Sequence, residues 1–326
     1  MTKFYYLFLF LIVNSFSSLA QYSIQSPLTG HEGIKYTDER IKNWASFVTF
    51  DRGPKDIQYP ENGYPTIGDE QTPLGPPTVN VLSLGDGGQA ILQFEYPITN
   101  GDGPDFAVFE NGFTDLENDT MAFLELAFVE VSSNGIDYFR FPSVSLMQTD
   151  TQIDNSTFAD ARLYHNLAGK HIAGYGTPFD LDDLPEHPDL DKNAITHVKI
   201  IDVIGSIDPN YGSLDSYGNI INDPYPTNFP SGGFDLAAIA VLHENKSQTV
   251  NELEEEKIWF YPNPNSGTIY INNHIQGKIA KIIDLQGRIY WEGKIPKNNQ
   301  WNLDFLRKGF YFLYIDGSVQ KLHKIN

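Results

Sequence analysis

The sequence predicts an all-β protein, a jelly-roll-like β-sandwich followed by a small immunoglobulin-like β-sandwich. Three observations carry this reading. Turn-forming and aromatic residues are abundant, with 27 Gly, 20 Pro, 18 Tyr, 22 Phe and 4 Trp among 326 residues, a balance that favours short strands and many turns. Apolar residues recur with period two: Ala90, Leu92, Phe94 and Tyr96 share one face of a run whose other face carries Ile91, Gln93 and Glu95. No long helical pattern separates these runs, which argues for antiparallel sandwiches over a parallel sheet with crossover helices.

Taken in order, Lys3, the apolar run 4–13 and Ser18-Leu19-Ala20 predict a secretory signal peptide over 1–20, cleaved between Ala20 and Gln21. The mature chain is then expected to have no membrane-spanning segment. Residues 21–244 form the predicted sandwich. Within it, 37–47 is expected as a short helix, with Thr37 as N-cap and Ile41, Trp44 and Ala45 on one face. Residues 51–77 read as a long ordered loop. The stretch 83–113 opens with Gly85-Asp-Gly-Gly88 and holds two strand-like runs around an acidic turn at 99–105. The nearly all-apolar run 122–132 reads as a central strand, returning through an Asn-Gly turn into 138–141 as a hairpin. Residues 180–184 suggest one helical turn. Strands are expected at 195–204, with Val198, Ile200 and Asp202 on one face, and at 236–243. Residues 245–256, rich in Glu, read as a linker. Seven short strands are predicted in the remaining domain, 257–326, an immunoglobulin-like count.

The formal charge of −20 conceals a division. Residues 257–326 hold 10 Lys and Arg against 4 Asp and Glu, whereas 21–256 hold 11 against 38. So acidic a body argues against nucleic acid or an anionic membrane as its partner. With no cysteine in the chain, disulfides, thiol catalysis and Cys-based zinc sites are excluded.

Chemistry has several candidate locations. Asp208, Asn210, Asp215 and Asn219 place oxygen side chains around Gly212 and Gly218, the pattern of a degenerate extracellular calcium loop; the same residues also serve turn chemistry. Asp102 and Asp105 read as turn carboxylates. Asp202 and Asp235, beside core strands, must be paired, metal-bound or hydrogen-bonded to backbone N–H groups. Glu110 and Glu130, with Glu125 between them, could supply the two carboxylates of glycoside hydrolysis. His171 and Tyr175 in a Gly-rich loop, and Tyr211 in the acidic loop, are candidates for ligand binding by hydrogen bonds and sugar stacking. No HExxH, GxSxG, Walker A or GxGxxG motif follows a strand, which removes the usual zinc, serine-hydrolase and nucleotide readings.

Two resemblances add to this. Tyr261-Pro-Asn-Pro-Asn-Ser-Gly267 with Ile269-Tyr-Ile271, Ile283-Asp-Leu-Gln-Gly287, the run 306–315 and Lys321-Leu-His-Lys324 resemble the type A sorting domain of the Bacteroidota type IX secretion system. Pro262, Asn263, Pro264, Gly267, Gly287, Gly309, Lys321 and Lys324 carry the motif. The resemblance implies the type IX machinery as a partner, and release or attachment at the cell surface. Leu84-Gly-Asp-Gly-Gly88, Asn100-Gly-Asp-Gly-Pro-Asp-Phe106, Val108-Phe-Glu-Asn-Gly-Phe113, Gly176-Thr-Pro-Phe-Asp-Leu181 and Gly232-Gly-Phe-Asp-Leu236 resemble secreted bacterial cell-surface proteins with a galactose-binding-like jelly roll. That likeness implies a fold and no particular activity. The function expected is thus an exported, non-catalytic ligand-binding module, its ligand a glycan, with calcium as a candidate cofactor. A secreted polysaccharide hydrolase is the alternative.

Overall fold

The computed structural model describes residues 22–246, 259–272, 275–284, 288–315 and 318–325. The chain divides into two compact units, Met1–Val250 and Asn251–Asn326, at a point inside the expected linker. The expected signal peptide, with Ala20 and Gln21, lies outside the described residues, as does most of the linker.

The body is a sandwich of two five-stranded antiparallel sheets. One sheet has the order Ile34–Lys35, Tyr175–Phe179, Phe106–Phe109, Ala238–Val241 and Asn43–Trp44. The other runs Phe139–Arg140, Ala127–Ser132, Ile195–Asp202, Gln89–Ile98 and Phe47–Asp51. The main core lies between them, where Leu92, Phe94, Val129, Val131, Val198 and Ile200 meet Phe106, Val108, Phe179, Ile239 and Val241. Phe106 stacks on Phe179 with ring centroids 5.3 Å apart. Alternation fixes the register, because a slip of one residue would turn Leu92 and Val198 outward.

Two expectations change. Residues 37–47 hold no helix: Asn43 and Trp44 pair with Val241 and Ala240, and Phe47–Asp51 pairs with the Gln89–Ile98 strand. The N–H groups of Lys42 and Ala45 donate to Val241 and Ile239, so two open sheet edges claim a segment whose apolar spacing also fitted a helix. The predicted strand 122–132 is interrupted. Ala122–Phe123 pairs with Phe113–Thr114, Ala127–Ser132 enters the large sheet, and Glu125 sits in the break. The hairpin at Phe139–Arg140 and the turn at Leu181–Asp183 stand as expected.

One end of the sandwich is closed by Asp105. Its carboxylate, fully buried, accepts from the N–H of Gly101 and of Leu181, both at 2.8 Å, and contacts Nδ1 of His243 at 2.8 Å. Three separate connections converge on one side chain.

The C-terminal unit pairs a three-stranded sheet (Phe260–Tyr261, Thr268–Ile271, Gln300–Asn302) with a four-stranded one in the order Ile289–Lys294, Ile279–Asp284, Gly309–Ile315, Ser318–Lys324. Phe260, Ile269, Ile282, Trp301 and Leu313 fill its core. All seven expected strands are present.

Asp105→Ala leaves the buried Leu181 N–H and the half-buried Gly101 N–H without an acceptor, at about 1–3 kcal/mol for a buried group and less for the other. Urea unfolding of the variant is expected to show a loss of about 3 kcal/mol. A loss under 1 kcal/mol would mean that water replaces the carboxylate there.

Candidate functional site

The opposite end of the body gathers carboxylates. Register explains why: Phe109 faces Ala238 in one sheet, and Asp202 faces Ala127 and Ile201 faces Gln89 in the other. Residues just outside those pairs therefore meet at one end. They are Glu110, Asp235, Glu125 and Asp86, joined by Asp202 itself and by Asp223. All six are buried.

Hydrogen bonds satisfy some of them. Asp202 accepts from the N–H of Phe234 at 2.6 Å and of Gly87 at 2.9 Å, tying the Gly85-Asp-Gly-Gly88 turn to the entry of the last strand. Gly233, at φ +71°, makes this approach possible, since a Cβ there would lie 2.8 Å from Asp202 Oδ1 and 2.7 Å from Gly85 N. Asp223 accepts from Leu126 N–H at 3.0 Å and Asp86 from Ile57 N–H at 2.7 Å. Asp235 accepts from the Ser83 hydroxyl and from the Asn111 amide, the latter at 2.9 Å. Glu110 takes one N–H, from Gly112 at 2.6 Å, and its Oε1 is buried without a partner. Glu125 lies against Gly169, whose φ of +88° and missing side chain admit the Glu125 carbonyl. No hydrogen bond or ion pair reaches its carboxylate among the described residues.

Burial raises every one of these groups. It pushes Asp86 up to about 7 and Asp235 up to about 6. Burial first and repulsion from Asp235 second hold Glu110 well above the usual range. Glu125 is raised well above that range by burial and then by Glu110 and Asp235. Burial likewise raises Asp202 and Asp223.

Above these groups opens a pocket of about 230 Å³ whose lining includes Glu125, Asp235, Asn111 and Thr227. Phe113, Phe123 and Phe229 supply its apolar part. Phe113 stacks on Phe123 at 5.3 Å, yet remains 55% exposed, and Phe229 is 45% exposed. Exposed rings thus stand beside buried carboxyls at one opening.

The other predicted residues fall elsewhere. Glu130 lies on the outward face of its strand, with Arg140 at 2.8 Å and Lys199 at 2.9 Å, so it is not brought to Glu110. Tyr175 and His171 both approach His31, with ring centroids 5.4 and 6.4 Å away. His171 is buried on the Ser26 hydroxyl at 3.1 Å. Tyr211 shares no ring contact or hydrogen bond with either among the described residues. In the 208–219 loop, Asp208 accepts from Asn210 N–H at 2.9 Å. Asp215 accepts from the N–H groups of Tyr217 and Asn219, each at 2.9 Å. A cation there would compete with these donors. Among the described residues no three His, Cys, Asp or Glu side chains are grouped to hold a metal ion.

In the C-terminal unit, the segment around Pro262 and Pro264 is clamped to the last strand. Asn263 donates to the Lys321 carbonyl at 2.7 Å and accepts from His323 N–H at 2.8 Å. Asn265 donates to the His323 carbonyl, and the buried Lys324 ammonium donates to the Ser266 carbonyl at 2.8 Å. A side chain on Gly267 would strike the Asp304 carboxylate, and Gly309 opens its strand. Gly287 lies outside the described residues. Residues 259–325 match the family model of the secretion system C-terminal sorting domain. The C-terminal unit is a sorting domain. It addresses the chain to the type IX secretion system and so to the cell surface or the medium. No curated protein matches the chain. Among solved structures, a biofilm-associated protein (its BSP domain) is similar over 89% of this chain at 11% identity, with a TM-score of 0.16. This chain spans about half of that protein's length (53%).

Stability of the unliganded protein should fall with rising pH. Asp235 and Asp86 have folded values above their ordinary 3.8. Their contribution is complete below that value and is lost as pH rises through about 6 and about 7. Between pH 4.5 and 7 the melting temperature of the body is expected to drop by roughly 10 °C, and by less in Asp235→Asn. A rising melting temperature over this interval would show the carboxylates to be charged and compensated.

Proposed function

We propose that the body is an extracellular ligand-binding module, exported by its sorting domain, that takes a sugar ring in the pocket between Phe113, Phe229 and Glu125. The observation that carries this is the pairing of exposed aromatic faces with convergent polar groups. Pyranose rings present C–H faces that pack on aromatics and hydroxyl edges that bond to carboxylates and amides. The pocket's 230 Å³ is below the about 300–1,000 Å³ of drug-sized sites, and so suits one ring rather than a long chain. Asn111, Asn155, Thr227 and Ser231 supply further polar contacts.

Hydrolysis is a second reading, favoured by the raised carboxyls of Glu110, Glu125 and Asp235. A carboxyl that keeps its proton near neutrality is what a general acid requires. Glu125 takes the place the sequence had given to Glu130.

A glycan array probed with the full chain tests the first reading. Phe113→Ala and Phe229→Ala are each expected to weaken a bound glycan about 3- to 10-fold, the worth of one stacking contact. Unchanged affinity in both would remove the pocket from the binding surface. Release of reducing sugar from the bound glycan, abolished by Glu125→Gln, would instead establish hydrolysis.

A further inference from the structure

We infer that the pocket selects a cationic ligand, a primary ammonium carried on a ring-sized group, as in an amino sugar whose nitrogen is not acetylated. The inference rests on the pocket being the ligand site and names the chemistry it would prefer.

The charge balance points this way. Six buried carboxylates share one end of the sandwich, and none of them meets a basic side chain among the described residues. The body's ion pairs lie elsewhere: Lys170 goes to Glu32, Lys192 to Glu186, and Arg140 and Lys199 to Glu130. A buried carboxyl without a partner either keeps its proton or takes a cation, and the fold has not supplied the cation. Glu110 Oε1 is buried with no hydrogen bond, and Glu125, which lines the pocket, receives none either. Of the two, Glu125 faces the pocket and is the one a donor from outside would meet.

The form of the missing cation follows from the geometry. Among the described residues no three acidic side chains are grouped as a metal ion requires, which disfavours a small point charge held by short bonds. An ammonium is larger and carries three N–H donors. It can divide them between the carboxylates of Glu125 and Asp235 and the carbonyl of Asn111, whose amide group already donates to Asp235. The rim adds a second attraction. Phe113, Phe123 and Phe229 offer aromatic faces, which attract cations through the ring quadrupole. Carboxylates below and aromatic faces beside an opening form a site for an organic cation. A neutral hydroxyl in that position would leave the carboxyls protonated and gain no ion pair.

Calorimetric titration of the full chain at pH 7 with glucosamine, glucose, N-acetylglucosamine and cyclohexylamine tests this. Glucosamine is expected to bind at least about tenfold more tightly than glucose or N-acetylglucosamine, a difference of about 1.4 kcal/mol. Glu125→Gln, checked for an unchanged melting temperature at pH 5, is expected to erase that preference. Equal binding of the three sugars overturns the inference and leaves the sugar reading standing. Cyclohexylamine binding without any sugar supports the inference and removes the sugar reading. Failure of all four to bind overturns both. Calcium that stabilises the protein through Glu125 and excludes glucosamine would assign the charge to a metal ion and overturn the inference.

Discussion

A carboxylate removed from water must find donors or a counter-charge, and the body is organised by how its two ends meet that demand. At one end Asp105 has three partners and joins three connections. At the other, Asp202 draws together the N–H groups of Gly87 and Phe234 and so binds the glycine-rich turn to the start of the last strand. The first arrangement is complete. The second is surrounded by acids that have fewer donors than oxygens, and the surplus lies beneath an opening. Satisfied and unsatisfied carboxyls are thus divided between the ends of one sandwich.

That division explains the sequence spacing. Five of the six acids stand at strand ends or within three residues of them: Asp202 closes its strand and Asp235 opens a short one, whereas Glu110, Glu125 and Asp86 lie in the adjoining turns. Gly169 and Gly233 lie where other backbones and carboxylates crowd in. The pocket is a by-product of strand register: antiparallel neighbours bring the end of one run beside the beginning of another, and aromatic residues of the following loops cover the junction.

Much of this was legible in the sequence. Alternation at 90–96 and 195–202 identified the core faces, and Asp202 and Asp235 stood out as carboxylates beside apolar strands. The seven strands of the C-terminal domain followed from its turns and motif. Residues 37–47 misled because Ile41, Trp44 and Ala45 fit helical spacing as well as a strand edge, and only the open edges of both sheets decide between them. Glu125 was visible as an acid in an apolar run. Its pairing with Asp235 and Glu110, in place of Glu130, depends on which strands are neighbours and on the break at 124–126. Phe113 closed the run Val108-Phe-Glu-Asn-Gly-Phe113 without any sign that it would face a pocket, and Asp223 and Phe229 lie in loops, which converge in space without leaving a period in the chain.

The clamp in the sorting domain has a consequence for how the address is written. Asn263 and Asn265 reach across to the backbone of Lys321 and His323, and Lys324 closes over Ser266. The opening motif of the domain is therefore shaped by its last strand. A chain cut short before Lys321 leaves that motif without the backbone groups and the ammonium that hold it. The signal is thus written across the domain, and damage to the closing strand reaches the motif at its start.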